Sequence, residues 1–113
     1  MNMNRDSFLA AFKQATVEVE VKALGSSIVR FRELSGTARD VLYSSVKADA
    51  GNSSFEAQLI ALTVVDEQDE PIFNEHDVDT LRAGGKALLE ELAQIAMRLN
   101  GIGQQAQENA VKN

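Results

Sequence analysis

The sequence predicts an α+β fold: an N-terminal β-hairpin over about residues 16–34, packed with a bundle of about four to five helices. Three observations carry that expectation. First, Val17, Val19 and Val21 alternate with Glu18, Glu20 and Lys22, and Val29 and Phe31 alternate with Arg30 and Arg32, the period of two expected of half-buried strands. Second, after residue 34 the alternation gives way to apolar residues three and four apart, the helical period. Third, Gly51-Asn52-Ser53-Ser54, Pro71, Gly84-Gly85 and Gly101 divide that second part into segments of helix length. Two strands alone are marginal in water, so the hairpin needs helices, further strands or a partner against it.

Along the chain, Asp6 to Phe12 reads as a short helix capped by Asp6 or Ser7, with Phe8, Leu9 and Phe12 on one face. In the hairpin, pairing Val21 with Val29 and Val19 with Phe31 buries one face and sets Glu20 opposite Arg30 and Glu18 opposite Arg32. A slip of one residue would mix the faces. Gly25 supplies a turn position open to positive φ. Ser35 or Thr37 caps a helix running to about Ala50, with Ala38, Val41, Leu42, Ser45 and Val46 as its buried stripe. Ser53 or Ser54 caps the next, Phe55 to about Val65, whose residues are apolar nearly all round, as expected of a central helix. Asp66 to Glu70 with Pro71 form an acidic turn, and Ile72-Phe73 a short extended segment. Asn74 caps a helix from Glu75 to about Arg82, and the last helix, Lys86 to about Asn100, carries Leu88, Leu92, Ile95 and Leu99 at 4-3-4 spacing. Residues 1–103 are expected to form one domain, and 104–113 a polar, disordered tail.

The 113 residues are 44% hydrophobic but only 5% aromatic, with no Trp, so the core must be aliphatic. The absence of Cys excludes disulfides, thiol catalysis and Cys-ligated zinc. The first six residues lack the apolar core of a signal peptide, and no apolar run approaches the roughly 20 residues that span a bilayer. A soluble, cytoplasmic protein without membrane association is expected. The net charge of −6 is concentrated: residues 66–79 contain seven carboxylates and no Lys or Arg. Nucleic acid, which requires a basic surface, is therefore not an expected partner; a basic partner surface, or none, fits better.

The chemistry-bearing residues do not assemble into a catalytic pattern. His76 is the sole histidine, and with Glu75, Asp77 and Asp79 it reads as a solvated helix start rather than a metal site. The run Asp66-Glu67-Gln68-Asp69-Glu70 lacks the spacing of a calcium-binding loop. Gly84-Gly85-Lys86 lacks the upstream glycine and the following Ser or Thr of a phosphate loop. No catalytic residue, cofactor or metal is expected. The candidate partner-binding residues are Leu88, Leu92, Ile95 and Leu99, an apolar stripe that either packs the core or serves a partner, and the acidic residues Asp66, Glu67, Asp69 and Glu70.

The order of elements carries one further reading. It runs through Val17-Glu18-Val19-Glu20-Val21, Val29-Arg30-Phe31-Arg32-Glu33-Leu34-Ser35-Gly36 and Arg39-Asp40-Val41-Leu42-Tyr43. It continues through Leu62-Thr63-Val64-Val65-Asp66-Glu67, Pro71-Ile72-Phe73, Asp77-Val78-Asp79-Thr80-Leu81 and Leu99-Asn100-Gly101. In this order and spacing the chain resembles the tail assembly chaperones of long, non-contractile-tailed bacteriophages and their prophages, over about residues 14–103. The resemblance implies a non-enzymatic protein that binds the tape measure protein, keeps its long helices soluble and helps recruit tail tube subunits, and that is absent from the finished virion. It also implies homo-oligomers and a frameshifted longer form, of which this chain looks like the short version. The alternative is a small cytoplasmic regulatory or adaptor protein that binds one bacterial partner.

Overall fold

The computed structural model describes residues 2–46 and 51–103. Its order is α1 (Arg5–Ala11), β1 (Thr16–Val21), β2 (Ser27–Arg32), α2 (Gly36–Ser45), α3 (Asn52–Thr63), β3 (Val64–Val65), α4 (Val78–Arg82) and α5 (Lys86–Leu99). Single 3-10 turns lie at Lys22–Leu24 and Glu75–Asp77. The α+β class is as predicted: among the described residues a three-stranded antiparallel sheet, ordered β1-β2-β3, is joined by five α-helices.

The hairpin keeps the predicted faces but shifts the predicted register by two. Val19 lies opposite Val29, Val17 opposite Phe31 and Glu18 opposite Arg30, while Glu20 faces Ile28 and Val21 faces Ser27. The loop decides this. The predicted pairing needs residues 22–28 in the loop, whereas the chain turns within 22–26, near the usual upper length for a hairpin. A 3-10 turn closed by Gly25 N–H to Lys22 O (3.1 Å), then Gly25 and Ser26 at φ 64° and 65°, bring Ser26 N–H to Val21 O at 3.0 Å. A two-residue shift leaves every side chain on its original face, so the hydrophobic pattern cannot detect it.

The inner face of the sheet delivers Val21 and Phe31, both fully buried. Against them pack α3, through Phe55, Leu59 and Ile60, and α5, through Leu89, Leu92, Ala93, Ala96 and Met97. The helix α3 is the central one expected, with Thr63 buried and its hydroxyl donating to Leu59 O at 2.7 Å. It ends earlier than predicted because Val64 turns extended (φ −74°, ψ 124°) and, with Val65, pairs with Phe31 and Arg30 as β3.

Several caps differ from expectation. Asn4, not Asp6 or Ser7, caps α1, its Oδ1 accepting from Ser7 N–H at 2.8 Å. Ser35, one of the two candidates, caps α2 by accepting from Ala38 N–H at 3.1 Å. The helix α3 starts after Gly51 (φ 79°) with no side-chain cap, which places Ser53 and Ser54 within its first turn. Asn74 caps the next segment as predicted, with the reciprocal Asp77 bond of a capping box, and that segment splits into the 3-10 turn and α4. In α2 Leu42 is buried, as is Val46 just past its end, but Val41 and Ser45 are exposed, because α2 touches the core along a narrower line than predicted. The predicted extension of α2 through 47–50 and the tail at 104–113 lie outside the described residues.

Candidate functional site

The acidic segment folds into a tight turn that caps the short β3 edge. Asp66 organises it: its carboxylate accepts from Gln68 N–H (2.8 Å) and Glu70 N–H (3.0 Å), and its own N–H donates to Glu70 O at 2.8 Å. Asp69 takes the left-handed conformation (φ 63°) that lets the turn close, and Pro71 bridges back to Val65. The turn thereby hangs beside β2, where Arg30 reaches Asp69 at 2.6 Å, Glu18 at 3.3 Å and the Thr16 hydroxyl at 3.2 Å. The hydrogen bond from Arg30 holds the Asp69 carboxyl below its ordinary pKa, and Asp69 in turn raises that of Arg30.

Where β3 ends and the turn swings away, a groove of about 500 Å³ opens along β2. Its apolar lining comes from Leu24, Ile28, Val29, Val64, Val65, Ile72, Phe73 and Leu92, and its charged lining from Glu18, Arg30, Asp66 and Glu67. Leu24, Ile28 and Ile72 are 40%, 57% and 55% exposed, so the groove presents apolar surface to solvent. The groove unites three of the predicted partner-binding residues: Leu92, Asp66 and Glu67. Asp69 is turned toward Arg30, and Glu70 is exposed on the turn. Leu88, Ile95 and Leu99 lie elsewhere: the buried face of α5 centres on Leu89, Leu92, Ala93, Ala96 and Met97, and those three sit half-buried on its flanks, packed against the core.

Sequence reasoning missed the sheet position of Val64–Val65, and with it the groove that β3 helps to frame. Two valines inside a continuous apolar run give no period by which to separate strand from helix. It also missed Glu91, whose carboxylate accepts from the N–H groups of Lys22 (2.8 Å) and Ala23 (3.0 Å) and so ties α5 to the hairpin loop. Asn100 makes a similar tie, accepting from Leu34 N–H and donating to Ala96 O, both at 2.8 Å.

A second hollow, lined by Asn52, Glu56, Glu90, Gln94 and Arg98 among others, is polar. Burial there, with the nearby charge of Glu90, raises the pKa of Glu56. His76 is exposed, 3.9 Å from Glu75. Among the described residues no group of His, Cys, Asp or Glu is arranged to hold a metal ion, and no helix is long and apolar enough to cross a membrane.

No protein-family profile and no curated protein matches the sequence. Among solved structures, the chain is similar to the bacteriophage HK97 tail assembly chaperone, with a TM-score of 0.62 and 19% identity over 76% of this chain and 85% of that one. At that identity the likeness establishes a shared fold alone.

Proposed function

We propose that this protein is a non-enzymatic tail assembly chaperone of a bacteriophage or prophage. It binds the tape measure protein, keeps that protein's amphipathic helices soluble, helps recruit tail tube subunits and is left out of the finished virion. The observation that carries the reading is the fold shared with the HK97 tail assembly chaperone across 76% of the chain. The ordered resemblance over residues 14–103 was legible independently in the sequence and supports the same reading. The groove beside the acidic turn supplies what such a role requires, since a chaperone for apolar helices needs accessible apolar surface of its own. In this reading Leu92, Asp66 and Glu67 contact the partner inside the groove. Leu88, Ile95 and Leu99 extend the contact along α5, and Asp69 and Glu70 face its basic residues from the turn.

Co-expression with a tape measure protein, followed by size-exclusion chromatography with light scattering, tests the proposal. The expected result is a soluble complex holding several copies of this chain per tape measure chain. A tape measure protein that stays insoluble while this protein elutes by itself would overturn it and favour a regulatory adaptor.

A further inference from the structure

Two arginines share the outer face of β2, and the fold satisfies only one of them. Arg30 and Arg32 are two residues apart on the strand, so their side chains leave it on the same side. Arg30 donates to Asp69 at 2.6 Å, to the Thr16 hydroxyl at 3.2 Å and to Glu18 at 3.3 Å. Arg32 forms no ion pair with a described residue, and its Nε is buried without an acceptor. The neighbouring acceptors are already taken. Thr16 lies directly opposite Arg32 in the ladder, but its hydroxyl accepts from Arg30. The Glu33 carboxylate accepts from Ala15 N–H at 3.1 Å. A buried N–H without an acceptor is rare in a folded protein, because the bond it gave up to water is not returned. Among the nitrogens of Arg32 only Nε is buried, so the stem lies against the sheet while the Nη groups open to solvent. Lys13 brings a second exposed charge. After the hydrogen bond from Arg30, the charges of Arg32 and Lys13 also lower the Asp69 pKa, so both act within reach of the turn. The link that carries Lys13 is anchored, with Gln14 donating to Glu33 O at 2.6 Å and Glu33 N–H to Ala15 O at 2.7 Å.

We propose that Arg32, with Lys13 as a second cation, is a binding site for a carboxylate carried on an acidic segment of a partner protein. A guanidinium presents its donors as a planar fork that matches a carboxylate with two parallel bonds. A carboxylate that grips the Nε–Nη edge as the side chain swings outward supplies the acceptor that the fold withholds from Nε. Charge selects the class of ligand. The chain carries −6 overall, and Asp66, Glu67, Asp69 and Glu70 crowd the adjacent turn, so a polyphosphate backbone is repelled where a short acidic segment is tolerated. Shape selects its source. Arg32 lines neither the groove nor the polar hollow, so a small free acid finds no enclosing wall there. The carboxylate must arrive on a chain that makes contacts of its own. The inference concerns the purified protein and does not depend on the tail-assembly reading.

The test is nuclear magnetic resonance on the isotope-labelled full chain, following the arginine Nε–H signals, each assigned through bonds from its own backbone. A blocked tetraglutamate peptide is titrated in, and its tetraglutamine counterpart, acetate and inorganic phosphate follow in separate titrations. Tetraglutamate is expected to move the Arg32 signal saturably and to leave that of Arg30 in place, because Asp69 already occupies it. Tetraglutamine should move neither. Arg32→Lys keeps the charge but loses the fork, and should weaken peptide binding at least about fivefold, read from the amide signals of Thr16 and Glu33. Lys13→Gln, at an exposed position, serves as the second variant should Arg32→Lys fail to fold by circular dichroism. It should weaken binding about twofold to threefold at low salt and less as salt rises. An Arg32 signal that shows no saturable shift would overturn the proposal, as would an equal shift at Arg30, which marks diffuse screening. Acetate or phosphate binding as tightly as the peptide would overturn the assignment to a protein segment. A folded Arg32→Lys that binds as wild type does would remove Arg32 from the site.

Discussion

Arg30 is a single side chain with three acceptors, and the geometry makes Asp69 the principal one, at 2.6 Å against 3.3 Å for Glu18. Because that contact holds the Asp69 pKa below its ordinary 3.8, the folded state binds this proton less readily than the unfolded chain. The resulting stabilisation is complete above the unfolded pKa and disappears as pH falls through the folded one. Asn tolerates the left-handed conformation that Asp69 adopts, so Asp69→Asn isolates the charge from the backbone. The difference in melting temperature between wild type and this variant should hold steady from neutral pH down to mild acid. It should shrink toward zero below about pH 4, and a difference that does not change with pH would refute the electrostatic account. Glu91 acts across a longer sequence separation, by accepting two backbone N–H groups of the hairpin loop. Glu91→Ala should cost about 1 kcal/mol in a urea titration, the scale of a lost helix cap, and Glu91→Gln less, since an amide oxygen still accepts.

At the scale of elements, burial separates α3 from α1. Phe55 is fully buried, with the Tyr43 ring 6.4 Å away, whereas Phe12 on α1 is 80% exposed. Phe55→Ala should therefore cost about 3–5 kcal/mol by denaturant titration, while Phe12→Ala should change global stability by less than about 0.5 kcal/mol. Equal losses would mean that α1 packs on the core in solution. The same contrast explains what the sequence could and could not convey. Hydrophobic periodicity located α1 correctly and grouped Phe8, Leu9 and Phe12 on one face, but a face records only that something apolar should cover it, not what. In the hairpin, Val17, Val19, Val29 and Phe31 identified the inner side correctly, while the register was set by the left-handed pair Gly25–Ser26, which carries no hydrophobic signal. In α5, the 4-3-4 spacing found the centre of the buried face at Leu92 but placed Leu88, Ile95 and Leu99 on its flanks, because Ala93 and Ala96 weigh little in a search for large apolar residues.

For the whole molecule, charge and apolar surface converge at one place. The acidic segment looked in sequence like a solvated run, yet folding returns it beside β2, so that Asp66 and Glu67 border apolar Ile28, Ile72 and Leu92. A border that is acidic apart from Arg30, which Asp69 already holds, around an apolar floor favours partners whose amphipathic helices carry Lys or Arg at their edges. The carboxylates of the turn are not equivalent in this. Asp66 builds the turn by accepting from Gln68 and Glu70, and Asp69 holds Arg30, so neutralising either would confuse binding with folding. Glu67 and Glu70 are exposed on the same turn, and their removal leaves those bonds in place. The double variant Glu67→Gln, Glu70→Gln should melt as wild type does. With a basic, amphipathic partner helix it should bind several-fold more weakly at low salt, and the difference should fade as salt rises, because screening already removes most of that attraction between exposed charges. Binding that is equally strong and equally salt-dependent in both proteins would assign the acidic turn to keeping the chain solvated, and leave the groove's apolar floor as the part that recognises the partner.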